Sequence, residues 1–254
     1  MKLFFRKIGE GQPILILHGV FGSSDNWFSM SKMIAEKGYA VYALDARNHG
    51  QSPRSEDFSY ELMADDLNEF IDDNQLEKPI IIGHSMGGKT VMHFAMKYPD
   101  KYSKLIVVDI APKFYPSHHG HIIQGLNSID LSMLTNRNEA DVQLSKFVIN
   151  ASEKQFLLKN LYRTEDGKFD WRINLPVLSR EIYQIGGDFT DTKEVSALTL
   201  FLRGSESGYI YDEDIPVIRS FFPNAIIQTI KGAGHWVQAE KPEEFLEAIL
   251  DFVK

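Results

Sequence analysis

The stretch Ile80-Ile81-Ile82-Gly83-His84-Ser85-Met86-Gly87-Gly88 decides how the chain is read. Its first residues suit a buried strand, and the residues after Ser85 have helical character. Between them, Gly83-His84-Ser85-Met86-Gly87 fits G-x-S-x-G, the sharp strand-to-helix turn of a nucleophile elbow. A side chain thrust outward at such a turn needs a strained backbone, and bulk two positions to either side would collide. Glycine removes that bulk. Ser85 then stands at the N-terminus of the next helix, where free N–H groups and the dipole favour developing negative charge. The pattern alone is weak, because small residues cluster by chance. The strand before it and the helix after it point to a functional serine rather than a tight structural turn.

The same alternation extends in both directions. Upstream, 3–8 reads as an edge strand turned by Gly9-Glu10-Gly11, and 13–17 is an unbroken apolar run ending in His18-Gly19. A helix is predicted at 26–37 with Gly38 as its C′ residue, then a buried strand at 39–44 ending at Asp45. Ser59 is the predicted N-cap of a helix reaching residue 74, with Met63, Leu67, Phe70 and Ile71 at helical spacing. The elbow helix runs over 86–98 and is stopped by Pro99; 104–108 is a further strand, ending at Asp109. Unbroken apolar strands suit a sheet covered on both faces. The alternation predicts an α/β fold with a doubly wound, mostly parallel sheet. Right-handed crossovers would place Asp45, Ser85 and Asp109 along one edge of it.

From 111 to 193 the alternation breaks. Helix-like pieces at 118–127, 139–148, 153–162 and 175–185 follow one another with no strand run between them. They carry Phe114, Tyr115, Phe147, Phe156, Trp171 and Tyr183. We expect a helical cap over the strand edge at 111–193, inserted into a core formed by 1–110 and 194–254. Strands at 198–202 and 225–230, helices at 212–221 and 242–252, and the loop Gly232-Ala233-Gly234-His235 complete the core, with Pro242 in the first turn of the last helix.

The 254 residues are 43% hydrophobic, enough for a large core. A net charge of −8, from 27 basic and 35 acidic residues, argues against nucleic acid or an anionic membrane as the main partner. With no cysteine, thiolate nucleophiles and Cys-ligated zinc are excluded. The apolar run within residues 1–7 is too short for a secretory or membrane-spanning segment. The expectation is a soluble cytoplasmic protein, monomer or homodimer, acting on a small molecule and needing no cofactor.

A serine hydroxyl needs a base to act as a nucleophile at neutral pH. His235, in a glycine-rich loop after the last strand, fits that role in the chain order serine, acid, histidine. The acid must fix the imidazole tautomer and stabilise its cation. Residues 203–208, Arg-Gly-Ser-Glu-Ser-Gly, hold no aspartate where many relatives of this layout carry the acid. Asp109 ends four apolar residues and must be paired or solvated. It is the first choice, with Glu206, Asp212 and Asp214 as alternatives. Met86 and Val20 are the expected N–H donors to an oxyanion, with Phe21 second to Val20. Phe21 and Trp236 are expected to line a substrate pocket, the competing reading for both being ordinary core. His18, His84, Arg47 and His49 read as structural, and His118-His119-Gly120-His121 as a poor metal site, since no acidic ligand accompanies it.

Taken together, His18-Gly19, Asp45-Ala46-Arg47-Asn48-His49-Gly50-Gln51-Ser52, Gly83-His84-Ser85-Met86-Gly87-Gly88 and Gly234-His235 fall in the order of the α/β-hydrolase superfamily, which the chain resembles over nearly its whole length. Within it, the chain resembles the small bacterial YbfF-type esterases through three segments: His18-Gly19-Val20-Phe21-Gly22-Ser23, Asp109-Ile110-Ala111-Pro112 and the stretch Gly232-Ala233-Gly234-His235-Trp236-Val237-Gln238-Ala239-Glu240-Lys241-Pro242. The resemblance implies Asp109 as the triad acid and carboxylesterase or acyl-thioester hydrolase activity under a helical cap. Asn48 departs from the glycine usual in that loop, and altered loop geometry is expected. Rival readings on the same scaffold are a cofactor-free perhydrolase, a lyase of the menaquinone-pathway kind, and a small-ligand receptor with a vestigial triad.

Overall fold

Side chains alternate between the two faces of a strand, so a run that is apolar at every position must be covered on both sides. The computed structural model, which describes residues 1–187, 189 and 193–254, is built on this rule. The first strands are β1 (Phe5–Ile8), β2 (Gln12–Leu17), β3 (Tyr39–Leu44), β4 (Ile80–His84) and β5 (Lys104–Val108). Helices α1 (Phe28–Ala35), α2 (Tyr60–Asp73) and α3 (Met86–Lys97) lie between them. An insertion then carries α4 (Gly120–Asn127), α5 (Arg137–Leu144), α6 (Ala151–Leu158), β6 (Leu161–Arg163), β7 (Phe169–Trp171) and α7 (Leu175–Ile185). The chain ends with β8 (Thr199–Gly204), α8 (Ile215–Phe221), β9 (Ala225–Ile230), α9 (Val237–Glu240) and α10 (Pro242–Val253).

Seven strands form one sheet in the order β1-β3-β2-β4-β5-β8-β9. All pairs are parallel except β1 with β3, so of the two edge strands β1 is antiparallel and β9 parallel. Ile14, Ile16, Ile80, Ile82, Ile106 and Val108 pack on one face with Trp27, Ile34 of α1, and Phe245 and Ile249 of α10. Leu15, Leu17, Ile81, Leu105 and Val107 pack on the other face with Leu67 and Phe70 of α2 and Val91 and Phe94 of α3. A third apolar cluster joins the insertion to the strand-end side of the core: Ile122, Leu144, Leu157, Trp171 and Leu178 pack with Phe21, Tyr60 of α2 and Met86 of α3.

Three local expectations are corrected. The helix expected at 26–37 is a 3-10 turn, Ser24–Trp27, followed by α1, because Asn26 Oδ1 accepts the Ser23 amide at 2.8 Å and caps a separate short turn. The insertion is not purely helical. Leu161, Tyr162 and Arg163 pair antiparallel with Trp171, Asp170 and Phe169 around a turn in which Gly167 has φ 82°. Strands of three residues are too short to display a period of two, and their first two residues look like the tail of α6. The run expected to be one helix at 212–221 is likewise a 3-10 turn, Asp212–Asp214, leading into α8. Residues 188 and 190–192, inside the span expected as cap, lie outside the described residues.

Candidate active site

The backbone at Ser85 has φ 53° and ψ −115°, the strained turn that a strand-to-helix elbow requires. The flanking glycines are there for space. A Cβ on Gly83 would lie 2.3 Å from the Gly87 carbonyl oxygen, and one on Gly87 would lie 2.4 Å from that of Leu17. The Ser85 amide donates to the Val108 carbonyl at 3.0 Å, so the sheet ladder holds the elbow up to its apex. One strand over, Asp109 ends β5 in the same left-handed region, φ 51°, with its amide donating to Leu202 O at 2.8 Å.

Asp109 and His235, 126 residues apart, meet at 2.8 Å between Oδ2 and Nδ1. The carboxylate is fully buried. Its Oδ1 accepts the Gly204 amide at 3.1 Å, and its Oδ2 accepts the Ser207 hydroxyl. Burial pushes the Asp109 carboxyl up to about 6, against the pull of those donors. Burial, with a smaller contribution from nearby His118, pushes the His235 imidazole down to about 3. At pH 7 the pair is therefore a carboxylate behind a neutral imidazole whose Nδ1–H donates to it. The His235 carbonyl accepts from His84 Nε2 at 2.8 Å, and the Tyr209 ring stacks on the imidazole, centroids 3.9 Å apart and 14° from parallel.

The loop at 203–208 holds the Asp109 carboxylate. Glu206 is exposed, while Gly204 and Ser207 on either side of it hold the Asp109 carboxylate. Asp212 is paired with Arg203 at 2.6 Å, and Asp214 with Lys113 at 2.6 Å. The structural histidines are neutral for a geometric reason. His18 must carry its proton on Nδ1, facing Gly19 O at 2.8 Å, because Nε2 accepts the Ala46 amide at 3.0 Å. His49 does the same between Arg47 O and the Phe21 amide. Burial depresses His18 to about 4, and His49 and His84 to about 3.

Ser85, His235, Val20, Phe21 and Trp236 all line one cavity of about 800 Å³ between the strand ends and the insertion. Among the described residues, Ser85 Oγ and His235 Nε2 make no hydrogen bond to each other or to another group. Met86 is the first residue of α3, so its amide has no partner within the helix. The Phe21 amide is occupied by His49 at 3.3 Å, whereas the Val20 amide makes no backbone hydrogen bond among the described residues. Arg47 is spent on a buried pair with Asp66, at 2.7 and 2.9 Å. Asn48 takes φ 65°, tolerable for an Asn, and its carbonyl and Oδ1 accept from the main chain and side chain of Asn174 in the insertion. His118 Nε2 bonds the Tyr209 hydroxyl at 2.7 Å; among the described residues, no group of three or more His, Cys, Asp or Glu is arranged to hold a metal. Sequence reading gives no signal for Tyr209, and for Ser207 only that it lies in the stretch 203–208 that lacks an aspartate.

This is the architecture of an α/β hydrolase, and the chain belongs to that family: the model described as alpha/beta hydrolase fold matches residues 12–242. It is 40% identical over 256 residues to an sn-1-specific diacylglycerol lipase of Danio rerio, covering 97% of this chain and 80% of that one. It is 36% identical to the esterase YbfF of Escherichia coli, covering 94% and 92%. Among solved structures it is similar to a marine microorganism esterase, with 47% identity, a TM-score of 0.96 and 99% of each chain covered. The protein is an enzyme of the esterase and lipase kind. Among the described residues, no helix is long and apolar enough to cross a membrane.

Proposed function

We propose that the chain cleaves carboxylic esters or acyl thioesters through an acyl-enzyme on Ser85, with His235 as base and Asp109 as the acid behind it. The observation that carries this reading is the 2.8 Å contact between Asp109 and His235 beside an elbow serine on the same cavity. Ser85 Oγ attacks the acyl carbonyl as His235 Nε2 takes its proton. The Val20 and Met86 amides receive the oxyanion, each donor being worth ~10²–10³ in rate. The imidazolium then protonates the leaving alkoxide or thiolate, and water attacks the acyl-enzyme by the same route to release the acid. The Ser85–His235 hydrogen bond closes with substrate in place, as catalytic contacts of this kind commonly do.

In this reading, residues 111–193 form a cap on a core of 1–110 and 194–254, and the cavity lies under it. Its volume is near the upper end of the ~300–1,000 Å³ of small-molecule sites, which favours an acyl or alcohol group much larger than acetyl. Phe21, Ile122, Phe156, Leu157 and Trp236 supply an apolar lining for it. The diacylglycerol lipase named among the relatives fits a substrate of that size. The test is Ser85→Ala against p-nitrophenyl esters and CoA thioesters of increasing acyl length. Turnover should vanish with the fold intact, and the native enzyme's kcat/KM should rise with chain length. Full activity in the alanine variant would overturn the proposal, and the relative rates would separate ester from thioester.

A further inference from the structure

We propose that Asn160, carried by the cap, is a positioning residue that sets the oxyanion loop. The inference rests on the reading above, in which the Val20 amide binds the oxyanion. Gly19, Val20, Phe21 and Gly22 form a β-turn closed by Gly22 N–H to Gly19 O at 3.0 Å. With Val20 at negative φ and the third residue at positive φ it is a type II turn, whose third place is usually given to glycine. Here it is Phe21, at φ 61°. An aromatic residue in the left-handed region persists only where its surroundings over-determine it.

Two buried side chains do so from opposite sides of the residue. His49 Nε2, from the core, accepts the Phe21 amide at 3.3 Å. Asn160 Nδ2, from the link between α6 and β6, donates to the Phe21 carbonyl at 2.7 Å and to Leu157 O at 3.2 Å. Asn160 is only 4% exposed. Both of its partners are carbonyls, which can only accept, so the amide nitrogen must face them. Asn160 is itself fixed: its amide donates to Leu157 O at 3.1 Å, and its carbonyl accepts the Arg172 amide at 2.8 Å. Without the donor from the cap, the Phe21–Gly22 peptide is free to rotate and Phe21 to relax to negative φ. That changes the turn type and swings the Val20 amide away from the oxyanion. The position of the cap is thereby coupled to the transition state and not only to substrate fit.

The test compares Asn160→Leu, close in shape but unable to donate, with Asn160→Ser, which leaves room for a bridging water. For each, kcat and KM on a p-nitrophenyl ester are measured with the inhibition constant of a trifluoromethyl ketone of the same acyl chain, which adds to serine as a tetrahedral oxyanion. In Asn160→Leu, kcat should fall on the order of 10- to 100-fold, KM should stay within about threefold, and ketone binding should weaken by the same factor as kcat. Asn160→Ser should show a smaller loss of the same form and carries the test if the leucine variant does not fold. Unchanged ketone affinity, or a loss confined to KM, would overturn the inference. A native enzyme insensitive to the ketone, or an active Ser85→Ala, would instead show that the parent reading had failed.

Discussion

The sheet edge and the insertion above it hold their functional residues by different means. At the edge, backbone does the holding. Ser85 and Asp109 each extend a parallel ladder by one more amide, to Val108 O and Leu202 O, before their strands turn into left-handed φ. Neighbouring strands over-determine both positions, so the strain at each is sustained. In the insertion the elements are short, and side-chain amides do much of the joining. Asn136 and Asn150 cap α5 and α6, Asn160 reaches Phe21, and Asn174 reaches Asn48. A ladder holds a residue through the backbone of the neighbouring strand as well as its own. The insertion is otherwise joined to the core by apolar packing of Ile122, Leu157 and Leu178 on Phe21, Tyr60 and Met86, which carries less direction than a ladder.

The contrast can be broken most decisively at Asp109. Asp109→Asn keeps the shape of the side chain but leaves His235 without its anionic partner, and kcat should fall by up to ~10⁴ on the serine-protease precedent. With the carboxyl pushed up to about 6, native kcat/KM should climb as pH rises through that region, and the climb should be absent from whatever activity Asp109→Asn retains. A modest loss with the pH limb intact would mean that another group orients the imidazole.

Stability against acid tests whether the tightly packed edge is also the fragile part. His18, His49, His84, His119 and His235 all have folded values well below the ordinary 6.5, because burial disfavours the charged ring. The unfolded chain binds those protons more readily, so their stabilisation is whole above pH 6.5 and is lost as pH falls towards the folded values of about 3 to 4. Each adds a slope of up to ~1.4 kcal/mol per pH unit. Asp109 acts in the opposite direction, losing stability as pH rises from 3.8 to about 6, and is outnumbered. Urea midpoints from pH 7.5 to 4.5 should drop steeply, and a flat profile would contradict the burial argument.

Smaller effects sharpen the comparison. Ser207→Ala removes one donor to the buried carboxylate and should lower kcat roughly 10-fold, the size of one charge-assisted hydrogen bond. Glu206→Gln, one position away and exposed, should leave kcat unchanged within twofold, and a crippled Glu206→Gln would reassign the acid.

Much of the edge was readable from local pattern. The apolar runs at 13–17, 39–44, 80–82 and 104–108 could be buried only as central strands, and glycine spacing marked the turn at Ser85, because steric rules act over a few residues. The hairpin of β6 and β7 was not readable, since three residues per strand display no period. The choice among Asp109, Glu206, Asp212 and Asp214 was open for another reason. All are carboxylates near a strand end, and what separates them is where each side chain is spent: on Arg203, on Lys113, on solvent, or on an imidazole 126 positions away.

The amino-acid order by itself determined which segments are buried strands and where the strained serine turn falls, because each follows from a pattern of residue types over a few neighbouring positions. Tertiary structure alone decided that Ser207 and Gly204 hold the Asp109 carboxylate, that Tyr209 stacks on His235 and that Asn160 reaches Phe21. Those are directional contacts between distant segments, and direction emerges only once the layers have packed.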